Sequence, residues 1–285
     1  MTTQTPTVHR MPLPRYAVAV GNEVAKGLRQ AWSERVQILI ELPLFTVFLL
    51  LVGLILGRGE QVTQTGRLPW EFDPYRMSWL FIGFVLFQFI YLQSVKTFWR
   101  LLGEIQTGTL EQTYLSPIPA WINIALGRVL AAILETAIVV AVLYVAVVLV
   151  VDLQLTWRAE VLVPLALAVI GGAGYSLLIA GLTLAFKRVE LLQEVVLVLV
   201  MFGSGAILPL DAMPGWVGSV ADFVFITHPI EAARTTLLDG ESIGLWGTGG
   251  WAWLIATALG WLALGTIVFG ICERHAKRAG SLAHY

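Results

Sequence analysis

Cysteine and charged residues are both scarce in this chain of 285 residues. The single cysteine, Cys272, excludes an intrachain disulfide and any cysteine-based metal cluster. Charged residues make up 13% of the chain, whereas soluble domains use roughly a quarter. Hydrophobic residues make up 57%, and the mean hydropathy is +0.78. This composition predicts a membrane protein without a large soluble domain.

The chain also lacks the sequence motifs of common catalytic sites. It has no glycine-rich phosphate loop, no pair of histidines on one helix face beside a glutamate, and no serine or cysteine in a nucleophile elbow. We therefore expect this chain to have no enzyme activity and to bind no nucleotide, metal or other cofactor. No feature predicts a nucleic-acid partner.

Long apolar stretches are the main feature that is present. A spanning helix needs about 20 mainly apolar residues. The sequence predicts an all-α, polytopic membrane protein with six spans, at 36–57, 78–98, 122–151, 161–186, 191–208 and 250–271. Because Lys and Arg concentrate in alternate loops, both termini are expected in the cytoplasm of a cell whose plasma membrane holds the chain. The expected domains are 1–35, a membrane domain 36–271 and a tail 272–285.

The N-terminal segment 1–35 carries an amphipathic pattern. Apolar residues recur every four positions from Tyr16 to Trp32, and basic residues lie beside them. The pattern predicts a helix that lies in the plane of the inner leaflet before the first span.

The segment 209–249 is too long and too apolar for an ordinary exterior loop. Pro214 is expected to begin one short helix and Pro229 a second one, which ends near Gly240. Neither helix is long enough to cross the bilayer, so a re-entrant or interfacial hairpin on the exterior side is expected. His228 is interpreted as a cap or a polar contact at the second helix start.

Two features inside the predicted spans allow alternative interpretations. Phe84, Phe87 and Tyr91 recur at helical spacing with Gln88 among them, so they either line a pathway for a ring-bearing hydrophobic substrate or contact helices and lipid. Glu135 lies near the middle of the third span, where an acid costs about 2.5–3.5 kcal/mol. It is either a structural polar contact with a neighbouring helix or part of a substrate or proton site.

A polar loop, 99–121, separates the second and third spans and contains EIQTGTLEQTYLSPIPAW. Glu104 and Glu111 are available to pair with cations, Gly108 interrupts the helix-forming residues, and Pro117 helps to end them. Such a surface is typical of a docking contact with a soluble partner, and a solvated loop is the alternative.

Two segments resemble type-2 ABC exporter permeases. GEIQTGTLEQTYLSPIPAW is similar to their cytoplasmic loop, in which a glutamate precedes a GTLE-like step and a Ser-Pro turn. FGSGAILPLDAMPGWVGSVADFVFITHPIEAARTTLLDG is similar to the end of their fifth span and the helices that follow. The family commonly has asparagine where His228 stands. The nearest resemblance is to the small drug-exporter permeases of the daunorubicin-resistance type.

The resemblance implies roles for particular residues. A coupling helix over 104–113 would sit in a cleft of a separate ATPase subunit. The residues expected at this contact are Glu104, Thr107, Gly108, Thr109, Leu110, Glu111 and Pro117. The second and fifth spans would line the pathway at a dimer interface, and the pathway candidates are Phe84, Phe87, Gln88, Tyr91, Glu135, Phe202 and Ser204. The exterior hairpin is represented by Pro214, Trp216, His228, Pro229 and Arg234.

The implied function is the permease subunit of an ATP-driven exporter of a hydrophobic or amphiphilic substrate, drug-like or lipid-like. Its implied partners are two ABC ATPase subunits that hold ATP and Mg, a second permease copy or a homologous permease, and membrane lipid. Polysaccharide or glycolipid export is the alternative within the family. A proton-coupled secondary transporter, motivated by Glu135, is the alternative outside it.

Overall fold

The computed structural model describes residues 13–33, 35–56, 73–110, 114, 127–151, 153–186, 189–242 and 247–279. All regular secondary structure in these ranges is helical. The α-helices of the described residues are α1 (Leu13–Ser33), α2 (Arg35–Leu56), α3 (Pro74–Gln106), α4 (Val129–Val148), α5 (Leu162–Phe186), α6 (Glu190–Gly203), α7 (Gly215–Ala221), α8 (Thr227–Leu237) and α9 (Gly247–Ala279).

Four helical segments in the described part of the chain are long and apolar enough to cross a membrane. They are Pro74–Gln106, Val129–Val148, Ala159–Phe186 and Gly250–Arg278. These segments correspond to the second, third, fourth and sixth predicted spans. The chain is therefore a membrane protein with an all-helical fold, whereas the count of six spans stays a prediction.

The fifth predicted span, 191–208, needs correction. Its helix α6 has 14 residues and ends at Gly203, which at 1.5 Å per residue gives a length of about 21 Å. A hydrocarbon core is about 30 Å thick. Gly205 adopts a φ of 78°, in the left-handed region, so the chain turns where the sequence predicted a further turn of helix. The first predicted span is represented by α2, in which Pro43–Ile55 forms the apolar part.

Helix α3 is the axis of the bundle. Asp73 caps its first turn by accepting a hydrogen bond from the backbone N–H of Tyr75 at 3.1 Å, and Pro74 occupies the first turn, where a missing N–H costs nothing. The helix continues for 33 residues, or about 50 Å. It packs against α2, α4, α5 and α8. We call its C-terminal end, with Thr107–Thr109, the turn end, and its N-terminal end, with α7 and α8, the hairpin end.

Glycines bring α5 and α9 into close contact. A Cβ atom at Gly265 would overlap the carbonyl of Gly174, and one at Gly181 would lie 2.7 Å from the Cα atom of Phe269. Small residues at such interfaces let helix backbones approach closely in lipid, where there is no hydrophobic drive for association. This contact joins the last helix to the rest of the bundle.

Candidate functional site

The exposed surface of the turn end begins where α3 stops. Thr107 caps the helix, and its hydroxyl donates to the carbonyl of Gly103 at 2.9 Å. Gly108 follows with a φ of 70°, a conformation that glycine adopts without steric cost. Thr107, Gly108 and Thr109 are all exposed. The expected coupling helix over 104–113 is interrupted by this exposed turn at 107–109, Leu110 is helical again, and 111–113 lie outside the described residues.

Glu104 is engaged within the chain. Its carboxylate accepts from the guanidinium of Arg128, just before α4, and from Lys26 Nζ of α1 at 3.3 Å. Its side chain is 16% exposed. The expectation that this carboxylate is available for a partner's cation is therefore corrected. Glu104 joins three helices.

Leu110 anchors the far side of the turn. It is fully buried against Leu101, Ile105 and Ala276 of α3 and α9, so it supports the exposed turn from beneath. Glu111 and Pro117 lie outside the described residues, and their role at a partner contact stays a prediction.

Tyr114 extends this support toward α9. The ammonium of Lys277 lies 4.8 Å from the centre of its ring, and Lys277 also donates to Glu273 at 2.9 Å. Burial raises the pKa of the Tyr114 phenol, and the neighbouring Glu273 carboxylate raises it further. The phenol is therefore neutral at physiological pH.

Glu135 forms a second ionic cluster, with two residues of α3 that lie about one and two turns before Glu104. Its two carboxylate oxygens accept from Lys96 and Arg100 of α3, and it is 2% exposed. Arg100 also donates to the carbonyl of Gly27 in α1 at 3.3 Å. The geometry is that of a structural contact between helices, the first of the two interpretations of Glu135. Lys96 and Arg100 share one face of α3 because they are four residues apart.

The aromatic residues of α3 do not share one lining. Phe84 packs in a cluster with Leu49 and Leu143, whereas Phe87 belongs to the larger cluster with Tyr175. The two rings are 2% and 5% exposed. The ring of Phe87 lies 6.0 Å from that of Tyr91, and Gln88 between them is 2% exposed. In this structure the stripe is packed core.

A different face of α3 lines an open apolar groove. The groove has a volume of about 370 Å³ and lies between α3, α4 and α5. Phe81, Val85 and Phe89 line it from α3, and Tyr144 and Trp157 lie on its wall. The aromatic stripe recognised in the sequence lies on a neighbouring face, because helical spacing shows that residues share a face and not whether that face is covered.

The two pathway candidates at the C-terminal end of α6 differ in exposure. Phe202 is 42% exposed on a face that also presents Val195 and Leu199. Ser204 is 1% exposed, and its hydroxyl makes no hydrogen bond with the described residues. Only Phe202 is available to a partner or to lipid.

Arg234 of α8 organises the hairpin end. Its three guanidinium nitrogens donate to the carbonyls of Trp79 at 3.1 Å, Gly205 at 2.9 Å and Ala206 at 3.0 Å. The guanidinium carbon lies 3.4 Å from the centre of the Trp79 ring, a cation–π distance. A Cβ atom at Gly83 would overlap both the Ala206 carbonyl and Arg234. Because Gly83 has no side chain, there is room for the Arg234 guanidinium beside it.

The remaining hairpin candidates occupy the two short helices. Pro214 precedes α7, and Trp216 in its first turn is 70% exposed. His228 lies in the first turn of α8, where its Nε2 atom is 3.1 Å from the carbonyl of Asp222. Pro229 follows it and is buried. Each proline lies at a helix start, and His228 makes a polar contact there.

A cavity of about 670 Å³ opens beside Arg234. Its walls are the first turns of α3, the segment 204–211 and one face of α8. No local pattern in the sequence predicts this cavity, since its lining combines the start of α3 with segments more than 100 residues further along the chain. Among the described residues, no group of three or more His, Cys, Asp or Glu side chains is arranged to hold a metal ion.

Comparison with known proteins gives the same family as the motifs. A search of curated proteins found no match. The family model described as ABC-2 type transporter matches residues 23–238, which include α2 to α8, the first segment that resembles type-2 permeases and all but the last two residues of the second. The chain therefore belongs to the ABC-2 type transporter family, as a membrane-spanning permease.

Proposed function

We propose that this permease is the membrane subunit of an ATP-driven exporter in the plasma membrane, with both termini in the cytoplasm. It acts with two ABC ATPase subunits, which bind ATP and Mg, and with a second copy of itself or a homologous permease. Its substrate is hydrophobic or amphiphilic, drug-like or lipid-like, as in exporters of the daunorubicin-resistance type.

The exposed turn Thr107–Thr109 carries this proposal. It projects from a single helix that continues for 33 residues to the cavity at the hairpin end. Leu110 fixes the turn against α3 and α9 from beneath. A push on the turn therefore moves α3 as a rigid body, which is how hinge and shear movements are transmitted between packed helices.

The apolar groove supports a hydrophobic substrate over a polysaccharide. Its wall combines aliphatic side chains with the rings of Phe81, Tyr144 and Trp157. Such a lining gains free energy from burial of apolar surface and offers few partners to sugar hydroxyls. The ionic partners of Glu135 support ATP over a proton gradient as the energy source, because two cations already neutralise its carboxylate.

Transport in reconstituted vesicles tests the proposal. The chain is co-expressed with its ATPase, and uptake of a lipophilic dye into inside-out vesicles is followed with ATP, without ATP, and with a protonophore. We expect uptake that requires ATP and persists without a proton gradient. Uptake that follows the proton gradient and ignores ATP would establish the secondary transporter instead. A glycolipid assayed in the same vesicles separates the two export alternatives.

A further inference from the structure

The cavity at the hairpin end has an acidic lining. Among the described residues around it, the carboxylates are Asp73, Asp211, Glu231 and Asp239, and the guanidiniums are Arg76 and Arg234. Four negative and two positive groups leave a net charge of −2. Asp211, Glu231 and Asp239 are exposed at its mouth.

The arginines do not turn this cavity into an anion site. Arg234 directs its three nitrogens at backbone carbonyls and places its face on Trp79. Arg76 lies at 3.7 Å from Asp73. Both guanidiniums are therefore held by the protein. Asp239 accepts a hydrogen bond from the Tyr75 hydroxyl at 3.5 Å, and Glu231 Oε2 lies 3.9 Å from His228 Nδ1, but both of these acids at the mouth stay exposed to solvent.

Two buried hydroxyls in the lining lack hydrogen-bond partners among the described residues. They are Ser204 Oγ, on a residue 1% exposed, and Thr227 Oγ1, on a residue 4% exposed. Buried polar groups are almost always hydrogen-bonded, because an unsatisfied one costs free energy. A ligand that donates hydrogen bonds would satisfy both hydroxyls.

We propose that this cavity binds an organic cation, such as a protonated amine with an apolar body. The carboxylates at the mouth attract the charge, the two hydroxyls accept from the N–H groups, and Leu80 and Ile230 contact the apolar part. The volume lies within the range of small-molecule sites, about 300–1,000 Å³. The described carboxylates are not grouped to share a metal ion, so a larger, more diffuse cation fits better. The inference goes beyond the proposed function, because binding here requires neither the ATPase nor transport.

The test compares a cation with its neutral isostere. The full chain is reconstituted in nanodiscs of zwitterionic lipid and titrated with 1-adamantylammonium or 1-adamantanol, with empty nanodiscs as the blank. We expect the ammonium to bind at least about tenfold more tightly than the alcohol, since each contact with an exposed carboxylate contributes about threefold and the hydroxyls add to it.

Variants then assign the binding to this cavity. The double variant Asp211→Asn, Glu231→Gln should weaken ammonium binding about tenfold and leave binding of the alcohol unchanged. Ser204→Ala should weaken ammonium binding about threefold. The matched control is Glu241→Gln, which removes an exposed acid that is absent from the described lining, and it should change nothing. Thermal unfolding of each variant reports whether the fold is intact.

Four outcomes would overturn the proposal. The first is equal binding of the two compounds, and the second is no binding of the ammonium at millimolar concentration. The third is an unchanged affinity for the ammonium in the folded double variant Asp211→Asn, Glu231→Gln. The last is ammonium binding that appears only when Arg58→Gln and Arg67→Gln are combined. The last outcome would show that an arginine of segment 57–72, which lies outside the described residues, occupies the cavity.

Discussion

The two ends of α3 hold their buried and partly buried charged groups in different ways. At the turn end, the carboxylates of Glu104 and Glu135 are held by side chains of other helices. At the hairpin end, the cation of Arg234 is held by backbone carbonyls and an aromatic ring. Ion pairs between flexible side chains can exchange partners when helices move, whereas backbone carbonyls are fixed. The comparison indicates a turn end built for movement and a hairpin end built for a constant shape.

The largest expected effect is the loss of the Arg234 guanidinium. Arg234→Met leaves the carbonyls of Trp79, Gly205 and Ala206 without their donor, and we expect the free energy of unfolding to fall by about 4 kcal/mol. Equilibrium unfolding in mixed micelles measures it. Arg158→Met is the control, because Arg158 is exposed at the same end and its side chain caps no helix. Equal losses in the two variants would contradict a fixed hairpin end.

Loss of the Glu135 charge should be the next largest effect. Glu135→Gln leaves Lys96 and Arg100 close together without an anion, and we expect the free energy of unfolding to fall by about 3 kcal/mol. Lys96→Met in the same chain should restore part of it, as a double-mutant cycle would show. Glu190→Gln, at an exposed acid in the first turn of α6, should be nearly neutral. A Glu135→Gln variant as stable as wild type would remove the second ionic cluster from this account.

Crowding at Gly83 should lower the free energy of unfolding by less than either of these two substitutions. Gly83→Ala places a methyl group on the Ala206 carbonyl and on Arg234, and overpacking of this kind costs about 2 kcal/mol. Gly103→Ala is the matched control on the same helix, because nothing lies within 4 Å of its Cβ position. Alanine there should be neutral or slightly stabilising, since it favours helix. Similar unfolding curves for the two variants would mean that Gly83 is not required for the approach of Arg234.

The smallest expected effect on stability is at Gly108. Nothing lies within 4 Å of its Cβ position, so Gly108→Ala should cost only the left-handed backbone strain, about 1 kcal/mol. Gly203→Ala, at a helix end without positive φ and equally open, should be neutral. ATP-dependent transport should fall clearly although the free energy of unfolding changes little, because the shape of the turn changes. Unimpaired transport would indicate that the turn is only solvated.

The sequence predicts those features of the protein that depend on short stretches of the chain. Helical fold class, the prolines at the starts of α7 and α8, and the family are all readable from neighbouring residues. The pairing of Glu104 with Lys26 joins residues 78 positions apart, and no local pattern carries such a contact. The same limit explains why the lining face of α3 and the cavity at the hairpin end were missed. The length of α6 was overestimated because apolar residues continue past Gly203 into a turn.

The central claim is that the ATPase docks on the exposed turn Thr107–Thr109. Protection of this turn from chemical labelling tests that claim most directly. Thr109→Cys and Ser219→Cys are made separately in a Cys272→Ala background, at exposed positions of the turn end and the hairpin end. Maleimide labelling of each is followed with and without the ATPase subunits. We predict that the ATPase slows labelling at residue 109 at least about tenfold, as burial in a well-packed interface requires, and leaves residue 219 unchanged. Unchanged labelling at residue 109, or protection at residue 219 alone, would contradict the assignment of the turn end as the docking surface.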